Sequence, residues 1–264
     1  MMYLINYLTK IKILKRIIPS LIRRFLIIFR KEIFIFKFNG LNLELNIKEP
    51  MDQMIFFHGY YENKQIEFLI KTIQDFKPDL FIDVGANSGF YSLFIGKEFP
   101  KLKIKSYEPI KKTFSKFKKN IELNNNIESI KKIKIYNFGL SDKKKVLKMK
   151  ALVKNNYIQQ GGFGVAQKNE DLSSLHAESA HFDKVDNNIK VQNKIIVIKI
   201  DVEGHELNVL RGMKKIIINN KVILQIEIFD RLKKITNNFL VKNNFKKFNK
   251  IYSDGKNDYY YKNF

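Results

Sequence analysis

Residues 81–89 read Phe81-Ile82-Asp83-Val84-Gly85-Ala86-Asn87-Ser88-Gly89, and Phe90-Tyr91-Ser92-Leu93-Phe94-Ile95 follows. An apolar run ends in an acid, breaks into a turn of small residues, and resumes with a helix-like pattern. This predicts a strand, a tight ligand-binding loop and a helix start. Gly85 and Gly89 lack a Cβ, so a ligand can approach their backbone closely. Asn87 is the non-glycine type that best tolerates left-handed backbone angles. Asp83 ends the strand, where open α/β sheets bind their ligands. A purely structural strand–turn–helix would show the same local pattern.

The next segment, Ile104-Lys105-Ser106-Tyr107-Glu108-Pro109, reads as a second short strand with an acid at its end. Glu108 lies about as far beyond the loop as nucleotide-binding α/β units place their ribose-binding acid. A carboxylate can accept hydrogen bonds from two vicinal hydroxyls at once. Further on, Val197-Ile198-Lys199-Ile200 reads as a buried strand ended by Asp201, and Val202-Glu203-Gly204-His205-Glu206 turns into a helix. Asp201 thus comes to the same sheet edge as Asp83. Glu203 and Glu206 are also explained by the preference of helix N-termini for acids.

Strands are predicted near 80–84, 104–108, 132–137, 195–200 and 221–228, and helices over 63–76, 88–98, 111–124 and 204–218. Strand–helix alternation implies a mostly parallel sheet with helices on both faces. Upstream, Glu32–Phe38 and Leu41–Ile47 alternate apolar and polar residues around Asn39-Gly40, a strong hairpin signal. Residues 143–194 interrupt the rhythm. They read as a long loop with some strand at Lys145–Leu152, a flexible Gln160-Gly161-Gly162-Phe163-Gly164, and the character of a lid. The tail Phe245–Phe264 reads as two closing strands around Ser253-Asp254-Gly255.

Asp83-Val84-Gly85-Ala86-Asn87-Ser88-Gly89, Tyr107-Glu108-Pro109, and Ile200-Asp201-Val202-Glu203-Gly204-His205-Glu206 with Val209-Leu210-Arg211-Gly212 resemble the FkbM family of S-adenosylmethionine-dependent methyltransferases. Tyr60-Tyr61-Glu62 and Leu224-Gln225-Ile226-Glu227 also resemble its pattern. The resemblance runs from about Phe56 to the C-terminus, and its specific part is the Asp-Val-Glu-Gly-x-Glu element. It implies a Rossmann-like class I methyltransferase sheet over 51–264, preceded by a basic helical segment and hairpin over 1–50. It implies S-adenosylmethionine as cofactor, with Asp83, Gly85, Ala86, Asn87, Ser88 and Gly89 at the methionine end. Glu108, followed by Pro109, would then hold the ribose. On position alone, Asn137, Phe138 and Asp142 would reach the adenine. The catalytic candidates are Asp201, His205 and Glu203. An alcohol acceptor needs a base, and His205 or Asp201 could serve. Asp201, Glu203, Glu206 and Glu227 would offer oxygen ligands to a divalent ion, a use their spacing does not establish. His176 and His181 carry no ligand reading.

The chain has 264 residues, no Cys, and a formal net charge of +23. Disulfides and thiolate metal sites are excluded, which suits a reducing compartment. The charge invites nucleic acid or an anionic membrane. However, Lys, Ile and Asn are all over-used, the lysines are spread along the chain, and no RNA-binding signature occurs. The position after the fourth core strand holds Asp201-Val202-Glu203-Gly204 rather than the Asn/Asp-Pro-Pro-aromatic element usual in base-methylating enzymes. A nucleic-acid acceptor is therefore the alternative, beside a non-catalytic binding module. A dinucleotide-dependent oxidoreductase is disfavoured because Gly85–Gly89 does not match G-x-G-x-x-G. The expected partner is a small-molecule or glycan acceptor, including nucleotide- or lipid-linked sugars.

Residues 1–31 are basic and amphipathic, with Leu4, Leu8, Ile11, Leu14, Ile18, Leu21, Ile22 and Phe25 on one face and no acid before Glu32. Charges interrupt the run, so it is neither a signal peptide nor a spanning helix of about 20 apolar residues. Two readings stand: a helix lying on an anionic membrane, or two short helices split near Pro19 and packed on the domain. The expected location is cytoplasmic, peripheral to the membrane's inner face if the first reading holds.

Overall fold

The computed structural model describes all residues except 1–13, 30, 155–156, 168–169, 171 and 254–255. The strands are β1 (Ile33–Phe38), β2 (Leu41–Asn46), β3 (Leu80–Val84), β4 (Lys103–Tyr107), β5 (Lys134–Tyr136), β6 (Gly139–Ser141), β7 (Lys145–Lys154) and β8 (Tyr157–Ile158). They continue as β9 (Gly164–Val165), β10 (Leu175–Lys184), β11 (Ile195–Ile200), β12 (Lys221–Glu227), β13 (Lys246–Ser253) and β14 (Lys256–Lys262).

The central sheet has the order β13-β14-β12-β11-β3-β4-β5. Neighbours from β12 to β5 are parallel, while β14 runs antiparallel to β12. The chain winds outward through β3, β4 and β5, then returns to β11 beside β3. The carboxyl ends of β3 and β11 therefore flank the switch point where open α/β sheets bind ligands.

Alternate strand residues feed two cores. Leu80, Ile82 and Val84 join Ile196, Ile198 and Ile200 against the helices Glu206–Gly212, Lys214–Asn219 and Asp230–Lys242. Phe81, Val197 and Ile223 join the helices Asn63–Phe76, Phe90–Glu98 and Lys111–Leu123 on the other face. The predicted helix 204–218 is two helices broken at Met213, and the helix Asp230–Lys242 was not anticipated.

The hairpin forms as expected. Asn39 and Gly40 have φ of 46° and 80°, the paired positive angles that a two-residue turn requires. Phe38, Leu41, Leu43 and Leu45 enter the same core as Phe81 and Val197. The helix Leu14–Ile28 runs through Pro19 rather than splitting there. The part of this segment before Leu14 lies outside the described residues. No helix among the described residues is long and apolar enough to cross a membrane.

The reading of residues 143–194 as a long loop is corrected. Much of this stretch forms a second sheet, ordered β6-β10-β7-β8, with β9 also pairing with β7. β7 and β10 are antiparallel from Leu175↔Leu152 to Phe182↔Lys145. Met149, Ala151, Phe163, Ala180 and Phe182 make a small core with Ile110. Alanines fill part of that core, so the apolar alternation is weak in the sequence.

Candidate active site

A cleft opens over the carboxyl ends of β3, β4 and β11. Asp83, Gly85, Ala86, Asn87, Glu108, Pro109, Asp201, Glu203 and His205 line it together. Met149, Phe163, Val165 and Phe182 from the second sheet form another part of its lining. The segment expected to act as a lid is thus a built wall.

The loop after β3 turns sharply. Gly85 and Asn87 have φ of 80° and 52°, which only glycine and a few polar residues adopt readily. A Cβ on Gly85 would come within 1.9 Å of the Asp201 carbonyl oxygen. The missing side chain therefore lets the β3 and β11 ends press together. Gly89 has a different role from the expected one: its Cβ would meet Phe117 at 2.0 Å, so it makes room for helix packing and does not line the cleft.

Glu108 is tied to this loop. Its Oε2 accepts the Asn87 N–H at 2.9 Å and its Oε1 the Ile110 N–H at 2.8 Å. Burial pushes its pKa up to about 7; the two N–H donors pull it down, and Asp83 and Asp201 push it further up. Asp83 is buried, and its Oδ2 accepts from Ser92 Oγ at 2.6 Å while its Oδ1 has no partner. Burial raises its pKa, Lys199 and Ser92 lower it, and Asp201 raises it.

Sequence reading missed a buried polar row beneath the cleft. Ser106, Asp83, Lys199, Gln225 and Tyr260 stand in register across β4, β3, β11, β12 and β14, all on the same face. Lys199 Nζ lies 3.1 Å from Asp201 Oδ2 and 4.4 Å from the centre of the Tyr91 ring. Burial disfavours its charge, but Asp201, Asp83, Glu62 and Asp258 outweigh that and raise its pKa. Tyr91 donates to Glu62 Oε2 at 2.6 Å, and Gln225 donates to Asp258 Oδ1 at 3.1 Å. The signal for Lys199 was a lone cation inside an apolar strand. Its partners come from distant segments, so the sequence could not name them.

The reading of His205 as a base is corrected. Asn208 Nδ2 donates to its Nδ1 at 3.1 Å, so Nε2 carries the proton and donates to Ser141 Oγ at 2.8 Å. Ser141 donates in turn to Asp142 Oδ1 at 2.9 Å. Burial, then Lys145, lowers the His205 pKa to about 4, against a raising effect from Asp142. The imidazole is neutral with both nitrogens engaged, and it has no lone pair to offer an acceptor. Asp142 belongs to this chain and pairs with Lys145 at 2.7 Å; burial raises its pKa, but Lys145 and Ser141 bring it down to about 2.

Four further candidates lie away from the cleft or play other parts. Asn137 donates to the Glu108 carbonyl at 2.9 Å and so braces the Glu108-Pro109 turn from outside. Phe138 packs on Tyr107, with ring centres 5.5 Å apart. Ser88 faces a neighbouring cavity, and its carbonyl accepts from Asn120. Glu206 is buried with Oε1 on the Gly204 N–H at 2.8 Å, the local bond of a helix-start acid. Glu203 lines the cleft with φ of 48°, a left-handed angle unusual for a glutamate. Among the described residues, no three His, Asp or Glu side chains are gathered as a metal cage, so Asp201, Glu203, Glu206 and Glu227 do not form one.

The neighbouring cavity measures about 390 Å³ and shares Met51, Asn87, Gln160 and Gly161 with the cleft. Lys112, Lys116 and Lys119 line it alongside Glu44, Glu49, Asp52 and Tyr157.

The chain is similar to several known proteins. Methyltransferase 1 of Beauveria bassiana (strain ARSEF 2860) is 26% identical over 178 residues, covering 56% of this chain and 68% of that protein. Methyltransferase sdnD of Sordaria araneosa is 26% identical over 159 residues, covering 50% of this chain and 59% of that protein. The crystal structure of methyltransferase FkbM from Methylobacillus flagellatus KT superposes with TM-score 0.49 at 16% identity, covering 70% of this chain and 43% of that one. The human methyltransferase 10 domain containing protein gives TM-score 0.48 at 11% identity, covering 92% and 95%. The Methyltransferase FkbM domain matches residues 83–251, more than half of the sequence, and the chain belongs to that family.

Proposed function

We propose that the protein is an S-adenosylmethionine-dependent O-methyltransferase acting on a hydroxyl of a sugar, glycan or secondary metabolite. The observation that carries this reading is the convergence of Asp83, Glu108 and Asp201 on one cleft at the switch point. The donor set suits the cofactor. The unpartnered, buried Asp83 Oδ1 suits an ammonium group, and the Glu108 carboxylate suits a ribose diol. Ile110, Leu140 and Phe182 supply apolar lining suited to a purine.

The cofactor, when bound, supplies a methyl group already activated on a sulfonium. The chain has to position the acceptor and remove its proton. Asp201 is our choice of base, because it lines the cleft and Lys199 stands 3.1 Å from it as counter-charge. The adjoining cavity, with its mixed lysine and carboxylate lining, suits a hydroxyl-rich acceptor.

The test is incubation with methyl-labelled S-adenosylmethionine and a panel of free, nucleotide-linked and lipid-linked sugars. The reading predicts acceptor-dependent release of S-adenosylhomocysteine, with label in an ether and loss of turnover in Asp201→Asn. Label appearing only in RNA or only on an amine would contradict it.

A further inference from the structure

The helix Leu14–Ile28 leaves a continuous apolar stripe uncovered. Ile17, Leu21, Phe25 and Ile28 are 48%, 59%, 58% and 75% exposed, and at helical spacing they fall within an arc of about 80°. Ile18, Ile22 and Leu26 continue that arc but are half-buried. The apolar face is therefore wider than the described residues cover. Phe29, just past the helix, is 57% exposed and packs on Phe25 with ring centres 4.4 Å apart.

The occupant follows from the charge. Residues 1–31 carry eight Lys and Arg and no Asp or Glu. Arg24 is exposed beside the stripe, and Arg23 lies about 160° from Leu21 round the helix, on the far side. A soluble protein partner or a second copy of this basic chain would have to supply acids to match. An anionic bilayer offers both halves at once: acyl chains for the stripe and headgroups for the flanking cations. We infer that this helix lies in the interface of an anionic membrane, with Ile17, Leu21, Phe25 and Ile28 inserted and the arginines at headgroup level.

The chain contains no Trp, so Phe25→Trp creates a single reporter. The full-length variant is mixed with phosphatidylcholine vesicles containing about 30% phosphatidylglycerol, and with pure phosphatidylcholine vesicles. Expected is a blue shift on the anionic vesicles, with quenching by brominated acyl chains. The same probe at Phe248→Trp, exposed on β13, should show neither. Leu21→Glu with Phe25→Glu should abolish vesicle flotation while leaving thermal unfolding unchanged, because both side chains are exposed. Arg23→Gln with Arg24→Gln should weaken binding about thirtyfold at low salt.

Flotation that survives the Leu21→Glu/Phe25→Glu change would mean that the +23 charge adsorbs without the stripe, and would overturn the inference. So would a wild type that ignores anionic vesicles, including one in which the stripe variant merely breaks a dimer. Binding to RNA in place of vesicles, lost with the same substitutions, would overturn it as well.

Discussion

Glu108→Gln should separate the cleft's electrostatics from its shape. In the free protein burial holds Glu108 at a pKa of about 7. Only the ionised form offers both oxygens as acceptors to a ribose diol. About a tenth of the protein is ionised there at pH 6 and about nine-tenths at pH 8. Affinity for S-adenosylhomocysteine should therefore be about tenfold weaker at pH 6 than at pH 8. Glutamine keeps one acceptor oxygen and loses the charge, which costs about 2 kcal/mol, or about thirtyfold at pH 8. The variant's affinity should then be nearly flat with pH. The sign for stability runs the other way. Below pH 4.5 both folded and unfolded carboxyls are protonated; from there to about 7 only the unfolded chain ionises, so the free protein loses stability as pH rises. Calorimetric titrations from pH 5.5 to 8.5 would measure the affinities, at about half-unit steps. Glu206, near 7, and Asp258, near 6, titrate in the same window. A pH slope in Glu108→Gln equal to that of the wild type would assign the dependence to them and refute the reasoning.

Four further outcomes follow from the same geometry. Gly85→Ala places a methyl 1.9 Å from the Asp201 carbonyl at a φ of 80°, so it should lower stability by about 2–4 kcal/mol and loosen cofactor binding, read by thermal unfolding with and without S-adenosylhomocysteine. Lys199→Met leaves Asp201, Asp83, Glu62 and Asp258 without their cation, and should cost about 3–5 kcal/mol at pH 8. That deficit should shrink towards pH 5 as Asp258 and Asp83, both raised by burial, take up protons, and Lys199→Arg should recover part of it. Asp83→Ala should abolish cofactor binding, whereas Asp201→Ala should spare binding and remove turnover; equal loss of binding in both would show that the division of roles is wrong. His205→Gln should keep methyl transfer within about tenfold of the wild type, because the imidazole is already neutral and fully hydrogen-bonded, whereas losing a general base costs about 10²–10⁴.

The parts of the fold legible in the sequence were those with local causes. Asn39-Gly40 fixed a turn that needs two positive φ angles, and Asn87 adopted the left-handed angle its type allows. Strand β11 reads off its Ile-Ile-Val-Ile-Lys-Ile run, and Asp201 marks its end because an acid stops burial there. The second sheet was hidden because its inward positions include Ala151 and Ala180, whose burial leaves little periodic signal. The helix Asp230–Lys242 was hidden by its lysines and asparagines, which outnumber the apolar side chains that anchor it.

In the site, the acids at the strand ends were readable because sheet topology alone brings Asp83, Glu108 and Asp201 together. Roles that depend on long-range partners were not. His205 sits in the family element, yet Ser141 and Asn208 claim both of its nitrogens. Lys199 looked like an interruption of a strand and is instead a buried cation 3.1 Å from Asp201, whose charge Asp83, Glu62 and Asp258 also favour. Gly89 fitted a ligand-contact pattern, but the space beside it belongs to Phe117.

The most direct test of the account is calorimetric titration of the wild type at pH 8 with S-adenosylhomocysteine and, in parallel, with NAD. One site per chain with micromolar affinity for S-adenosylhomocysteine is expected, with no measurable heat from NAD. A folded protein that binds neither, or that binds NAD as tightly, would contradict the assignment of Asp83 and Glu108 to a methyl-donor cofactor.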